Sequence, residues 1–312
     1  MKITTPIKSV EEIAPLAKAG ADEFYCGALT SWWKKKYGYL ASPNRRYFEQ
    51  SQVKSFKEIE VISEECRKKK KILYYTLNSP YYTKEQLKEL EKEIRKLAEY
   101  KVNGIIISDL SLLLWLNKKE NKDLLNTFKI CISTCASVYN SESAKFYSGL
   151  GAKKIVLPRH IKIEEIEPIV QKNKNNEFEC FVANDLCRNE DGFCGYQHGT
   201  EDILGVDHIC NLYNQFEVIG ASKDKARIIN QRLRNLPLGF FFAVKDIPKL
   251  KNAGVSHLKI SGRRFPTKEK AKVVSLVKEL TKISSKKDYQ EKAEELFENS
   301  FGFSLPKNSS FY

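Results

Sequence analysis

Apolar residues recur along the chain in two alternating patterns. Short apolar runs bounded by polar or glycine positions read as strands. They fall at Lys2 to Ile7, Asp22 to Cys26, Ile72 to Leu77, Gly104 to Ile107, Lys129 to Ser133, Lys154 to Leu157, Phe178 to Val182 and His257 to Ile260. Between them, apolar positions return every three or four residues. Val53, Phe56, Ile59, Ile62 and Cys66 mark one helix, and Leu87, Leu90, Ile94 and Leu97 another. Ser9 and Glu12 have the spacing of a capping box before a helix at Val10 to Ala19, which Gly20 ends. Further helices are expected at Leu110 to Leu116, Ser141 to Leu150, Ile163 to Val170, Ile247 to Ala253, Lys268 to Ile283 and Tyr289 to Phe297, with a possible extra strand at Phe240 to Phe242.

Strands alternating with helices give a parallel α/β protein, and eight is the number that closes a barrel. The expected fold is therefore a (β/α)8, TIM-barrel-like domain. An open doubly wound sheet is the alternative, but Thr4, Thr5 and Pro6 stand where its glycine-rich nucleotide fingerprint would follow the first strand. The alternation breaks only after the seventh strand. Residues 1–285 are read as the barrel, with a cysteine-rich insertion at 186–238, and residues 286–312 as a C-terminal tail.

The chain has 312 residues, 42% of them hydrophobic, enough for a sizeable core. No apolar run approaches the roughly 18 residues of a membrane span. The start, MKITTPIKSVEE, lacks the apolar segment of a signal peptide. A cytoplasmic location follows as the expectation, with thiols kept reduced. Eight cysteines then point to metal or redox chemistry more than to disulfides. The net charge of +14 suits a polyanionic partner such as RNA, or is a plain compositional trait. From Thr30 to Phe48, in an expected loop, basic and aromatic residues interleave as stacking and phosphate contact require; an active-site lid would look similar.

The stretch from Glu179 to Cys210 holds Cys180, Cys187, Cys194 and Cys210, with His198 and His208 among them. Thiolates suit soft metals and clusters. Zinc could take Cys187, Cys194, His198, and His208 or Cys210, although these spacings are wide for a zinc knuckle. A loop with buried free thiols is the plainer alternative.

Barrel chemistry sits at the carboxyl ends of strands. Those ends carry Asn78, Asp109, Ser133, Thr134, Arg159, His160, Asn184, Asp185, Lys259 and Arg263. His160 is the candidate general base, and Ser133 or Cys135 a candidate nucleophile, though no nucleophile elbow surrounds them. Arg159, Lys259, Arg263 and Arg264 point to an anionic substrate, since guanidinium forks bind carboxylates at two points. Arg159 and Arg263 are expected to converge on one cavity.

Several segments together resemble peptidase family U32, the collagenase-like peptidases. They are GADEFYCG from Gly20, IIISDLSLL, STCASVYNSESAKFYSGLGAKKIVLPR, ECFVANDLC with DGFC, and AGVSHLKISGR, in that order over roughly residues 15 to 275. The resemblance implies a barrel-like catalytic domain. It implies a four-iron four-sulfur cluster held by Cys187, Cys194 and Cys210. The family's fourth cysteine has no counterpart after Cys210, and Cys180 is the nearest substitute. Arg159 matches the arginine of the strand-six motif; Lys259, Gly262 and Arg263 match the closing motif; Asp109 and Asn140 match polar positions of the fourth and fifth units. Some members resemble oxygen-independent hydroxylases of RNA bases or quinone precursors, with prephenate as the suspected oxygen source. The favoured reading is an iron–sulfur enzyme modifying RNA or a small aromatic substrate. A peptidase is the alternative, and a non-catalytic binding protein with a degenerate metal site and a protein partner is a third.

Overall fold

The computed structural model describes residues 1–38, 41–46, 49–183, 191–193, 222, 242–305 and 312. Eight strands form a closed parallel barrel in sequence order. They are β1 (Lys2–Pro6), β2 (Glu23–Cys26), β3 (Ile72–Leu77), β4 (Gly104–Ile107), β5 (Lys129–Ile132), β6 (Lys154–Val156), β7 (Glu177–Ala183) and β8 (His257–Ile260). Pairing of Thr4 with Lys259 closes the ring. The expected barrel fold is thus observed.

The helices between and after the strands are α1 (Ile13–Ala19), α2 (Ser31–Tyr37), α3 (Glu58–Lys68), α4 (Lys84–Glu99), α5 (Leu110–Leu116), α6 (Lys122–Thr127), α7 (Ser141–Gly149), α8 (Ile163–Lys172), α9 (Ile247–Asn252), α10 (Thr267–Ile283) and α11 (Tyr289–Phe301). Outward strand residues such as Ile3, Phe24, Leu73, Ile105, Ile130, Ile155 and Leu258 are buried in one apolar layer with the inner helix faces. Burial of this continuous layer is the main stabilising term.

Local details differ from the sequence reading. Val10–Glu12 forms a 3-10 turn, and Ser9 makes no side-chain cap bond. Glu12 instead accepts from the Lys8 amide at 2.8 Å and from Lys270 Nζ at 2.6 Å, so a long-range ion pair displaces the capping box. The box occurs at α4, where Thr83 and Gln86 bond reciprocally. Val53 lies outside α3 and bridges Ala28. The basic and aromatic stretch is not all loop, because Ser31–Tyr37 is helical. Trp33 and Tyr37 sit one turn apart with ring centroids 5.5 Å from each other. Phe242 makes an isolated antiparallel bridge to Ala183, while Phe240 and Phe241 lie outside the described residues.

Candidate functional site

Side chains alternate along each strand, so every second residue fills the barrel. Alternate strands contribute the layers. Even strands supply Glu23, Gly104, Lys154 and His257; odd strands supply Thr4, Tyr74, Cys131 and Glu179 above them; Tyr25, Ile106, Val156 and Lys259 follow. A Cβ on Gly104 would lie 2.6 Å from the Tyr74 ring, so glycine makes room for that phenol.

This interior is charged. Lys154 Nζ donates to Glu23 at 2.6 Å and to Glu179 at 2.7 Å. Lys259 Nζ donates to the other oxygen of Glu179 at 2.6 Å. Thr4 Oγ1 donates to Glu179 at 2.8 Å, and His257 Nε2 lies 3.1 Å from Glu23. All are buried. Buried charges persist only when each is paired and hydrogen-bonded, and here two lysines answer two glutamates. Burial alone would raise the Glu23 pKa. The His257 hydrogen bond and the Lys154 charge outweigh it and hold the carboxyl at about 2. Glu179 is likewise held far below the usual carboxylate range, its desolvation overcome by Lys154 and Lys259.

At the amino end of the barrel, ligand atoms of Glu23, Glu177 and His257 lie within 4.8 Å of one another, a set that could hold a metal ion. Lys154 and Lys129 already neutralise its two carboxylates. A cation there would have to displace them.

The carboxyl-end mouth is built differently. Asn78, just past β3, donates from Nδ2 to Ser133 Oγ at 3.4 Å, and its buried Oδ1 has no partner among the described residues. Ser108 Oγ donates to the Asn78 carbonyl at 3.2 Å. The turn after β8 uses Gly262 at φ +94°, where a Cβ would meet the Phe265 ring at 2.1 Å. Only glycine tolerates that combination, and it carries Arg263 over the barrel. Arg263 is buried, donates from one terminal nitrogen to Thr76 Oγ1 at 3.1 Å and lies 5.6 Å from the Tyr25 ring centroid. Its Nη1 has no partner among the described residues, and no described carboxylate pairs with it. Burial pushes its pKa down to about 10, with the nearby Arg46 charge adding to the effect.

The other expected cations are already answered. Arg159 is held by Asp191, which accepts from its backbone N–H at 3.0 Å and its Nε at 3.1 Å, with a further close bond from a terminal nitrogen. Thr134 Oγ1 donates to the same Asp191 at 2.9 Å. Burial would raise the Asp191 pKa, but the Arg159 charge and hydrogen bonds keep it lowered. Lys259, expected at the mouth, points inward to Glu179. Of Arg159, Lys259 and Arg263, only Arg263 has no carboxylate partner among the described residues, because internal acids neutralise the other two.

Other candidates hold local structure. Asp109 caps α5, accepting from the Leu112 amide at 2.7 Å, and also accepts from the Tyr82 amide at 3.1 Å. Asn140 caps α7 through the Ser143 amide at 2.8 Å. His160 is exposed. The half-buried Cys135 Sγ accepts from Arg45 at 3.1 Å, so its described partner is a guanidinium and not a histidine.

Cys180 lies fully buried on the outward face of β7, in the layer between barrel and helices. Burial drives its thiol pKa strongly upward. A thiol so placed does not fit as a cluster ligand facing the mouth. Cys187, Cys194, Cys210, His198, His208, Asn184 and Asp185 lie outside the described residues, as does most of the 186–238 insertion. Its Asp191–Phe193 piece seats against the segments that follow β5 and β6: Ser137 Oγ donates to the Asp191 carbonyl at 3.1 Å, a Cβ on Gly192 would lie 2.8 Å from the Cys135 carbonyl oxygen, and Asp191 holds Arg159.

Comparison with known proteins adds the family. The chain is 26% identical to tRNA hydroxylation protein P of Escherichia coli over 62% of this chain and 51% of that protein. It is 30% identical to the Haemophilus influenzae protein of the same name over 40% of this chain and 26% of that one. The chain thus spans about half, or less, of the length of these curated relatives. A solved U32 peptidase superposes with a TM-score of 0.50 at 11% identity, covering 84% of this chain and 93% of that one. An N-acetylneuraminate lyase of Fusobacterium nucleatum also gives 0.50, at 6% identity, over 94% and 78%. At such identities these two likenesses speak for the barrel alone. The model of peptidase family U32 matches residues 8–308, and the chain belongs to that family.

Proposed function

We infer that this chain forms the barrel portion of a tRNA-modifying enzyme of the hydroxylase type, acting at the carboxyl-end mouth. The observation that carries the site is Arg263: a buried guanidinium with one nitrogen that has no partner, and no carboxylate beside it, among the described residues. An uncompensated buried cation costs stability, and a carboxylate or phosphate ligand would repay it with charge-assisted hydrogen bonds. The names of the curated relatives supply the reaction class and the RNA.

In this reading Arg263 binds and orients an anionic co-substrate, for which the dicarboxylate prephenate is the family's suspected example. Tyr25 supports the guanidinium plane, and Thr76 fixes its rotation. Asn78, whose Oδ1 has no partner among the described residues, accepts a hydrogen bond from the substrate. Cys187, Cys194 and Cys210 are the proposed thiolates for an iron–sulfur cluster, with zinc as the alternative metal. A bound cluster would supply one-electron chemistry. The proposed setting is cytoplasmic; no described helix is long and apolar enough to cross a membrane.

The test is to express the chain in a host that lacks its own tRNA hydroxylation protein P and to analyse tRNA nucleosides by mass spectrometry after growth without oxygen. A nucleoside carrying one extra oxygen is expected. Unmodified tRNA in the presence of soluble, metal-loaded protein would overturn the reading.

A further inference from the structure

Resting on the proposed tRNA reading, we propose that Arg45 is a substrate-binding residue of the mouth and holds the backbone phosphate of the nucleotide whose base enters there. Arg45 lies in the turn from Ser42 to Arg46, between α2 and α3. Its φ is +57°, in the left-handed region that glycine normally fills. Lys70 and Lys101 share that conformation just past the ends of α3 and α4, and Ser137 shares it at the end of a 3-10 turn. Arg45 ends no helix. A non-glycine residue stays in this region only where its surroundings force it, and such residues cluster where ligands are clamped.

Those surroundings are a buried side-chain network. Asn44 is 1% exposed. Its Nδ2 donates to the Ala28 carbonyl at 3.3 Å and to Gln52 Oε1 at 2.9 Å. Its Oδ1 accepts from the Arg46 amide and from Gln52 Nε2, both at 3.1 Å. Ser42 Oγ donates to the Arg46 carbonyl at 2.9 Å. The Pro43 carbonyl accepts from the Tyr82 hydroxyl at 2.7 Å and from the Ser79 amide at 3.2 Å, which fastens the turn to the loop that follows Asn78. A Cβ on Gly27 would lie 2.5 Å from both Asn44 Nδ2 and Thr76 Oγ1. Glycine there lets the turn approach Thr76, the residue that accepts from Arg263.

The turn therefore brings guanidinium groups to the mouth at a second depth. Arg263 is buried, whereas Arg45 and Arg46 are partly exposed. Arg45 Nη1 reaches across to Cys135 Sγ, a weak acceptor, at 3.1 Å. The Cys135 amide donates to Ser133 Oγ at 3.2 Å, and Ser133 is also the partner of Asn78. The Arg46 charge is close enough to help depress the Arg263 pKa. Neither Arg45 nor Arg46 is without other contacts; what sets them apart is where the turn puts them. Arg263 Nη1, without a partner among the described residues, marks the inner end as the place of a small anion. An enzyme that works on a base takes it out of the stack into a pocket, and the polynucleotide backbone stays outside. Its phosphate then meets the rim, where a guanidinium fork can bind it at two points.

Affinity for unmodified tRNA, measured by fluorescence anisotropy with the 312-residue chain over a salt series, tests the proposal. Arg45→Gln should weaken binding about tenfold. It should also lower the slope of log affinity against log salt by roughly 0.7 to 0.9, the counterion release of one phosphate contact. Arg45→Lys should restore the slope but only part of the affinity, because an ammonium lacks the two-point fork. Arg95→Gln, on α4 where Arg95 pairs with Glu91 at 3.1 Å, should change affinity less than about twofold. Arg45→Gly removes the left-handed strain together with the guanidinium. It should unfold at the wild-type temperature or higher and bind tRNA as weakly as Arg45→Gln. Wild-type protein that binds no tRNA, an unaltered slope in Arg45→Gln, or an Arg45→Gly variant that unfolds earlier yet binds tRNA like wild type would overturn the proposal. The two readings fail separately. If the slope falls as expected but tRNA never gains oxygen, the proposed activity falls and the phosphate site stands. If Arg45→Gln binds and hydroxylates tRNA like wild type, the phosphate site falls and the activity stands.

Discussion

The indole N–H of Trp33 donates to Glu93 Oε1 at 3.0 Å, tying α2 to α4 through a buried carboxyl group. Thr30 Oγ1 donates to the same oxygen at 3.2 Å, while the other oxygen, Oε2, has no partner among the described residues. Burial pushes the Glu93 pKa up to about 7, and the Trp33 and Thr30 bonds offset only part of that.

A pH dependence follows from this contact. The folded carboxyl binds its proton more tightly than the unfolded one, so its contribution to stability is complete below about pH 4.5 and is lost as pH rises through 7. The full span corresponds to roughly 3 kcal/mol as an upper bound. Glu93→Gln imitates the protonated group. Urea unfolding should find the variant close to wild type at pH 5 and more stable at pH 8, by roughly 1 to 3 kcal/mol. A wild-type advantage at pH 8 would show that Glu93 is stabilised as an anion by something else.

The barrel interior makes a second prediction. Lys154 bridges Glu23 and Glu179, and those charges raise its pKa well above the ordinary value against the opposing effect of burial. Lys154→Met leaves two buried carboxylates facing one lysine. Loss of one partner of a buried pair costs about 3 to 5 kcal/mol. Adding Glu179→Gln should recover part of that loss, because it removes the excess negative charge. Additive destabilisation in a denaturant series would mean that the groups act independently.

The cysteines divide in a third. Cys194→Ser should remove visible absorbance and iron from anaerobically purified protein, as a thiolate ligand would. Cys180→Ala should keep both, since that thiol is enclosed between β7 and the outer helices. Cys66→Ser should keep both as well, because its thiol is buried on the inner side of α3 and burial pushes its pKa up to about 12. Iron retained in the Cys194→Ser protein would remove this ligand assignment.

The sequence made the barrel legible because two periods, one of strands and one of helices, alternate eight times and tertiary contacts seldom override either. The interior was harder to read. Glu23, Lys154, Glu179, His257 and Lys259 are charged or titratable residues at inward positions of otherwise apolar strands, and the signal lay in that alternation. Reading Lys259 from its place near a strand end put it at the mouth; its inward direction follows from sharing a face with His257. Arg159 looked free because its acid, Asp191, sits 32 residues away in a segment without periodicity. No local pattern announces such a partner. Asp109 and Asn140 stand where helices begin, and the capping role was readable there from the residue types alone. Arg263 was found by its position, and its lack of a carboxylate partner among the described residues emerged only in three dimensions.

The most direct measurement is a paired one on Arg263→Met: thermal unfolding without ligand, and oxygen incorporation into tRNA. A structural arginine stabilises the fold, and its removal lowers the unfolding temperature. An arginine kept buried for a ligand costs stability until the anion arrives. The variant is predicted to unfold at the same temperature as wild type or higher, to keep its metal content, and to lose at least about a hundredfold in hydroxylation. A clear drop in unfolding temperature, or activity retained, would contradict the assignment of Arg263 as the anion-binding group of the mouth.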